Sequence, residues 1–395
     1  MNEQLVVKNF GPIKEATVDF KRVTVFIGPT GGGKSTLAKL GAVFRELRLY
    51  TSGKNGAEML IQGYGMDDFY FDTSLINWQL SQMNSRFSNG KWDLGFQPAV
   101  LDKALELAHR AAETSKKAQA LVEAQKAGMS SAAYEQELAA IEAEWSEADT
   151  FFSRNAASSR PRYIPAERTL LSVLDEAWPT IANGKIDIPP ALSFFAQGFL
   201  EAKSIVKTLR FEPLSIIYEH LNGRDYISQN LSKPLLLSKS ASGIQSVIPI
   251  LVLIEYLSRV SKSAQSFIIE EPELNLYPTA QQGLLNWLVE KCTKGENDLT
   301  ITTHSPYILA SCNLLLEAYK VAKQRPELAD EIDKIVPRAC WLNPDEFAAY
   351  YVADGTVKAI TDERTHLIGG NELDAVSGDI SDSFRRLLQL KKQVA

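Results

Sequence analysis

The chain has 395 residues, 45% hydrophobic and 23% charged, a balance that supports a packed core and excludes a largely disordered chain. Its 42 Lys and Arg against 48 Asp and Glu give a net charge of -6, which excludes a globally basic nucleic-acid coat but not a local basic groove. Three widely spaced cysteines, Cys292, Cys312 and Cys340, form no C-x-x-C pair and no disulfide framework, and read as buried thiols of a cytoplasmic protein.

Residues 5–27 alternate as three strands, and the last, Val23 to Ile27, is almost wholly apolar, as in a strand buried on both faces. A glycine-rich turn follows, then a helix from Lys34 to Tyr50. Residues 51–98 read as short strands and loops. Residues 99–152, rich in Ala, Glu, Lys and Gln, predict two helices joined by a turn at Gly128-Met129-Ser130-Ser131. They form either a short projecting hairpin or two helices packed on the body. Arg162 to Pro165 reads as a short strand, and 166–230 as mostly helical, broken by Pro179 and Pro189-Pro190.

Val247 to Leu257 is too short to span a bilayer and reads as a core helix, and Met1 to Gln4 is no signal peptide, so no membrane is expected. From 266 the pattern is β-α-β: Phe267 to Ile269, a helix near 279–291, then Leu299 to Thr302. Residues 347–368 predict a β-hairpin turning at Asp354-Gly355, with a last helix from Asp379 to Lys392.

The strongest motif is Gly28-Pro29-Thr30-Gly31-Gly32-Gly33-Lys34-Ser35, a complete G-x-x-x-x-G-K-S run that follows a predicted strand and opens a predicted helix. Glycines let backbone N–H groups curl around phosphate oxygens, and the helix start adds partial positive charge. Lys34 would reach the β- and γ-phosphates, and Ser35, with Thr36 beside it, would place a hydroxyl on Mg²⁺.

Downstream, the strand Phe267-Ile268-Ile269 ends in Glu270-Glu271. One carboxylate there can hold a metal through its water shell, and the next can polarise an attacking water. Thr302-Thr303-His304-Ser305 puts a histidine at another strand end, 33 residues after Glu271. Ser240-Ala241-Ser242-Gly243-Ile244-Gln245 opens the apolar core helix, either as an anion site or as an ordinary cap.

In this order the four elements resemble the ABC-type ATPase head, and more narrowly its RecF/SMC/OLD branch. Glu271-Pro272-Glu273-Leu274-Asn275-Leu276-Tyr277-Pro278 is similar to that branch's E-P-E-x-x-L-H-P run, with Tyr277 in place of histidine. Phe10-Gly11-Pro12-Ile13 and Val25-Phe26-Ile27-Gly28 resemble the branch's opening. Tyr163 to Arg168 is similar to a segment of small stand-alone AAA-family ATPases of bacterial defence type that carry no nuclease domain. The resemblance spans most of the chain except about 51–155.

It implies an α/β fold: a P-loop head with a mixed central sheet and antiparallel edge strands, plus an inserted helical lobe. The head would comprise 1–50 and 231–345, with 51–230 inserted and 346–395 completing it. ATP and Mg²⁺ are the implied cofactors, with Ser35 and Glu270 on the metal, Glu271 orienting the hydrolytic water and His304 sensing the γ-phosphate. Ser242, Gly243 and Gln245 would form the signature that closes on ATP held by a second copy, with Asn275 at that interface. A homodimer or higher homo-oligomer would then sandwich ATP.

Ala241 stands where the signature usually has serine. The glutamine loop has two candidates, Gln62 and Gln97, and Arg168 either serves there or pairs with Glu167. The implied function is an ATP-driven switch that controls a separate effector, a nuclease or toxin, or acts on DNA in phage defence. Its alternatives are a scaffold that sequesters such an effector and a RecF-type repair ATPase. A transport subunit fits the E-P-E run and the inserted helices poorly. The basic clusters available to DNA are Lys203, Lys207 and Arg210, and the tail residues Arg385, Arg386, Lys391 and Lys392, each of which also reads as a solvated helix face.

Overall fold

A computed structural model describes residues 3–46, 49, 53–80, 83–96, most positions of 103–144, 160–174, 177–178, 188–229, 233–261, 263–369 and 385. Among the described residues the continuous α-helices are α1 (Lys34–Arg45), α2 (Gly53–Gly63), α3 (Thr169–Val173), α4 (Pro190–Ile205), α5 (Ser242–Val260), α6 (Pro278–Cys292), α7 (Pro306–Gln324) and α8 (Ala329–Ile335). The first seven strands are β1 (Glu3–Phe10), β2 (Ile13–Phe20), β3 (Val23–Ile27), β4 (Tyr70–Leu80), β5 (Met83–Ser88), β6 (Lys91–Phe96) and β7 (Arg160–Ile164). The other eight are β8 (Thr208–Phe211), β9 (Ile216–Leu221), β10 (Arg224–Gln229), β11 (Leu235–Leu236), β12 (Gln265–Glu270), β13 (Asp298–Thr303), β14 (Phe347–Ala353) and β15 (Thr356–Ala359).

Eleven strands form one sheet in the order β6-β5-β4-β1-β2-β15-β14-β3-β13-β12-β7. Its centre, β14-β3-β13-β12-β7, is parallel throughout, whereas β1, β2, β4, β5 and β6 pair antiparallel as a wing. Every residue of β3, β12 and β13 is buried, as parallel strands covered on both faces require. Alternation along β3 divides the core. Val23, Val25 and Ile27 join the cluster of α5, α6 and α7, while Phe26 joins the one built from α1 and the wing. The mixed α/β fold read from the sequence is therefore the observed one. Four strands of this sheet, β4 to β7, come from inside the stretch read as an insertion.

Residues 53–63, read as part of a strand-and-loop region, are helical, and strands follow from 70. The larger difference lies in 208–229, expected to be helical. Here β8, β9 and β10 form a separate antiparallel sheet with β11. Burial alternates along β9, with Ile216 and Tyr218 inward and Ile217 outward, a period of two rather than 3.6. Asn222 and Gly223 both take positive φ, 52° and 77°, which suits the Asn-Gly turn of a two-residue hairpin. That dipeptide was the available signal.

The β-α-β unit of β12, α6 and β13 and the Asp354-Gly355 hairpin lie where expected. α5 is long and apolar enough to cross a membrane, yet most of it is buried in the core. Described positions between 103 and 124 and between 132 and 144 are helical, and Lys117 Nζ lies 2.9 Å from Glu144 Oε1 across the two arms. The helix expected over 379–392 lies outside the described residues, apart from a helical Arg385.

Candidate active site

β3, β12 and β13 are neighbours and parallel, so their C-terminal ends share one edge of the sheet. The chain leaves β3 through Gly28 to Gly33 and turns directly into α1. Gly33 caps α1 with φ 107°, and a Cβ there would run into the side chain of Ile13, so only glycine makes this turn without strain. No side chain caps α1, which leaves its first N–H groups directed out of the helix start. Thr30, Gly31 and Ser35 are exposed there, while Lys34 and Thr36 are buried.

Lys34 Nζ donates to the carbonyl oxygens of Gly28 at 2.8 Å and Pro29 at 2.9 Å, and lies 3.1 Å from His304 Nε2. Burial pulls the Lys34 ammonium below its ordinary pKa, and Glu271, Glu270 and Glu273 partly offset this. His304 Nε2 is also 3.3 Å from Glu271 Oε1. An ammonium only donates, and a carboxylate only accepts. One imidazole nitrogen therefore serves Lys34 as an acceptor or Glu271 as a donor, according to its protonation.

Glu270 is 5% exposed, and its Oε1 has no hydrogen-bond partner. Burial, then the neighbouring Glu270, pushes the Tyr163 phenol well above its ordinary pKa. A buried carboxylate oxygen without a hydrogen-bond partner is the kind of donor that suits a hard cation such as Mg²⁺. Among the described residues no group of three or more His, Cys, Asp or Glu side chains is placed to hold a metal. A Mg²⁺ site built from one or two oxygens and substrate phosphates needs no such group.

Ser242, Gly243 and Gln245 open α5, with Ala241 as its cap and no side-chain capping bond. Among the described residues no hydrogen bond or ion pair joins them to the phosphate loop. They meet the other side of the site instead. A Cβ on Gly243 would lie 2.5 Å from the Asn275 carbonyl oxygen and 3.0 Å from the Leu276 side chain, so the helix start packs against the loop that follows Glu271. Gln245 points inward, its Nε2 donating to the Ser238 and Ser240 carbonyls at 3.0 Å each.

Sequence reasoning left Glu273 and Gln281 without a role and did not foresee that of Arg168. Glu273 is 8% exposed, and its Oε1 accepts from Thr303 Oγ1 at 2.5 Å and from the His304 N–H at 2.9 Å. Gln281 accepts from Ser305 Oγ at 2.5 Å and donates to the Leu276 carbonyl at 2.9 Å. Together they bolt the loop after Glu271 to the segment carrying His304. Arg168 does not pair with Glu167 but lies wholly buried among backbone carbonyls. Only the E-P-E run hinted at Glu273.

Of the glutamine-loop candidates, Gln62 is exposed on α2 and Gln97 lies outside the described residues. Of the basic cluster 203–210, Lys207 and Arg210 are exposed and Lys203 is not. Lys203 is buried on Asp225 at 2.8 Å, and Arg210 pairs with Glu212. Of the tail cluster, Arg386, Lys391 and Lys392 lie outside the described residues.

A phosphate loop at the end of a parallel strand, with two carboxylates and a histidine on the adjacent strand ends, defines the head of a P-loop ATPase with a mixed sheet. Residues 101–309, more than half of the chain, match the AAA ATPase domain family, and the chain belongs to that family. No curated protein matches it. Solved structures of similar fold include the SMC head domain from Thermotoga maritima, at 11% identity and a TM-score of 0.39, covering 92% of this chain and 100% of that one. Another is the Smc head domain from Pyrococcus furiosus with an extended coiled coil, bound to the C-terminal domain of ScpA, at 10% identity and a TM-score of 0.39, covering 96% and 98%. At such scores the class rests on the loop and the sheet order.

Proposed function

We propose that the protein hydrolyses ATP as an ABC-type switch in which two heads close face to face around nucleotide. One observation carries this reading: Lys34, Glu271 and His304 form a single contact chain at the shared edge of β3, β12 and β13. Lys34 binds the terminal phosphates with the N–H groups of Gly28 to Ser35, and Thr36 backs the loop. Ser35 and Glu270 hold Mg²⁺, which supplies neutralisation of phosphate charge when bound. Glu271 orients the attacking water, and His304 answers to the γ-phosphate.

Ser242 and Gly243 present the start of α5 to nucleotide on the partner copy, with Gln245 stiffening that turn and Asn275 beside it. Residues 1–50, 231–345 and 346–395 form the head, to whose sheet 51–230 adds strands and a helical lobe. We favour a protein effector over DNA as what the switch controls, in cytoplasmic phage defence, because Lys203 is buried on Asp225 and the exposed Arg210 is paired with Glu212.

Glu271→Gln should bind ATP normally and trap the dimer in size-exclusion chromatography, while Lys34→Ala should lose ATP binding. Wild-type turnover by the first variant, or retained affinity in the second, refutes the reading.

A further inference from the structure

Arg168 follows β7 and opens α3, and it is 0% exposed. Its Nε donates to the Ser246 carbonyl at 3.0 Å, Nη1 to the carbonyls of Pro165 at 3.0 Å and Glu270 at 2.6 Å, and Nη2 to the Glu271 carbonyl at 2.6 Å. Four carbonyls from three separate segments thus converge on one guanidinium. Only a rigid planar fork can serve them together; an ammonium is a single point. Burial lowers its pKa to about 10, with Glu273, Glu271 and Glu270 offsetting part of that cost.

The Glu271 backbone needs such an anchor. Its φ is 43°, in the left-handed region that costs a non-glycine residue about 1 kcal/mol. Its N–H donates to the Thr302 carbonyl at 2.9 Å, and its carbonyl is held by Arg168. The same guanidinium holds Ser246 of α5, and one turn further along α3 the Ser172 hydroxyl donates to the Gln245 carbonyl at 2.7 Å.

We propose that Arg168 is a positioning residue that fixes the Glu271 backbone and couples it, with Ser172, to the first turns of α5. This rests on the ATPase reading above. A push on Ser242 and Gly243 by nucleotide on the partner copy would reach Glu271 through Gln245, Ser246 and Arg168. The water-orienting carboxylate would then align when the second head docks.

The test compares full-length Arg168→Lys and Ser172→Ala with wild type by ATP affinity, kcat, KM and amide hydrogen exchange. In Arg168→Lys, kcat should fall about 10-fold or more. ATP affinity should stay within about 3-fold. Exchange should quicken only around Glu270–Glu273 and the start of α5. Ser172→Ala should show the same split with a smaller loss. Wild-type kcat in a cooperatively folded Arg168→Lys overturns the proposal. So does a parallel loss of affinity and kcat with faster exchange across the whole sheet. If Arg168→Lys does not fold, Ser172→Ala decides: lower kcat at unchanged affinity supports the coupling, and unchanged kcat overturns it. Absence of turnover in wild type refutes the ATPase reading instead, and the exchange pattern still decides the positioning role.

Discussion

Glu273 offers the sharpest perturbation, because substitution by alanine and by the isosteric glutamine should behave oppositely. Its Oε1 accepts from Thr303 Oγ1 and from the His304 N–H, and Thr303 Oγ1 in turn accepts from the Ser305 N–H at 2.9 Å. Glu273→Ala strands two donors in a largely buried site, at about 1–2 kcal/mol each, so about 2–4 kcal/mol of stability should go. Glu273→Gln keeps the accepting oxygen and sheds the charge.

Burial raises the Glu273 carboxyl above its ordinary 4.5, and the bonds from Thr303 and His304 offset this only in part. A carboxyl raised by folding stabilises the fold below its unfolded pKa, and that contribution is lost as pH climbs through the folded one. The glutamine variant escapes that loss. It should equal or exceed wild type in urea unfolding at pH 7, with the advantage shrinking as pH falls toward 4.5. Its ATP turnover should stay near wild type, whereas the alanine variant loses turnover because the backbone carrying His304 is unmoored. Equal destabilisation by alanine and glutamine, or wild-type turnover in the alanine variant, would refute the argument.

Two further outcomes follow from buried geometry. Arg45 Nη2 lies 2.5 Å from Glu3 Oε2, and its Nη1 lies 3.2 Å from Asp298 Oδ1, with all three side chains largely buried. Arg45→Ala should therefore cost about 3–5 kcal/mol in chemical denaturation, because it removes the guanidinium that balances two buried carboxylates at the end of α1. Gly243→Ala puts a Cβ 2.5 Å from the Asn275 carbonyl and should displace that loop from α5. A drop in turnover with unchanged binding of ATP to the monomer is expected, and unaltered turnover would show that the close approach carries no function.

The parts of the site that lay in contiguous motifs were legible from sequence. Gly28 to Ser35 reads as a phosphate loop because strand, glycines and helix follow one another without a gap, and Glu270, Glu271 and His304 read from their strand ends. What escaped was whatever depends on separate segments meeting. Arg168 read either as serving the glutamine-loop role or as a partner for Glu167, since a local sequence cannot show that the Pro165, Ser246, Glu270 and Glu271 carbonyls converge on it. The β8–β10 sheet was missed for another reason: its short strands carry enough polar residues to blur a period of two, and only Asn222-Gly223 marked the hairpin. The strands within 70–96 were expected, but the pairing of β4 with β1 was not, because sheet order is a long-range property.

His304 draws these threads together. Its N–H is held by Glu273, its Nε2 stands between the Lys34 ammonium and the Glu271 carboxylate, and the residue after it is fastened by Gln281. A neutral ring accepting at Nε2 sides with Lys34, which also spends donors on Gly28 and Pro29. A ring donating at Nε2 sides with Glu271. Phosphate oxygens arriving at Lys34 would compete with those carbonyls for the ammonium, because they carry full charge and the carbonyls do not. Drawing Lys34 away removes the donor at Nε2, and a ring whose proton moves from Nδ1 to Nε2 can then donate to Glu271 or to the γ-phosphate. On the proposed function, nucleotide arrival at the loop thus changes the partner of the histidine before any second head docks. Docking then acts from the opposite side of Glu271, through α5 and Arg168. Two inputs on one carboxylate, one from each head, would make turnover conditional on the assembled pair.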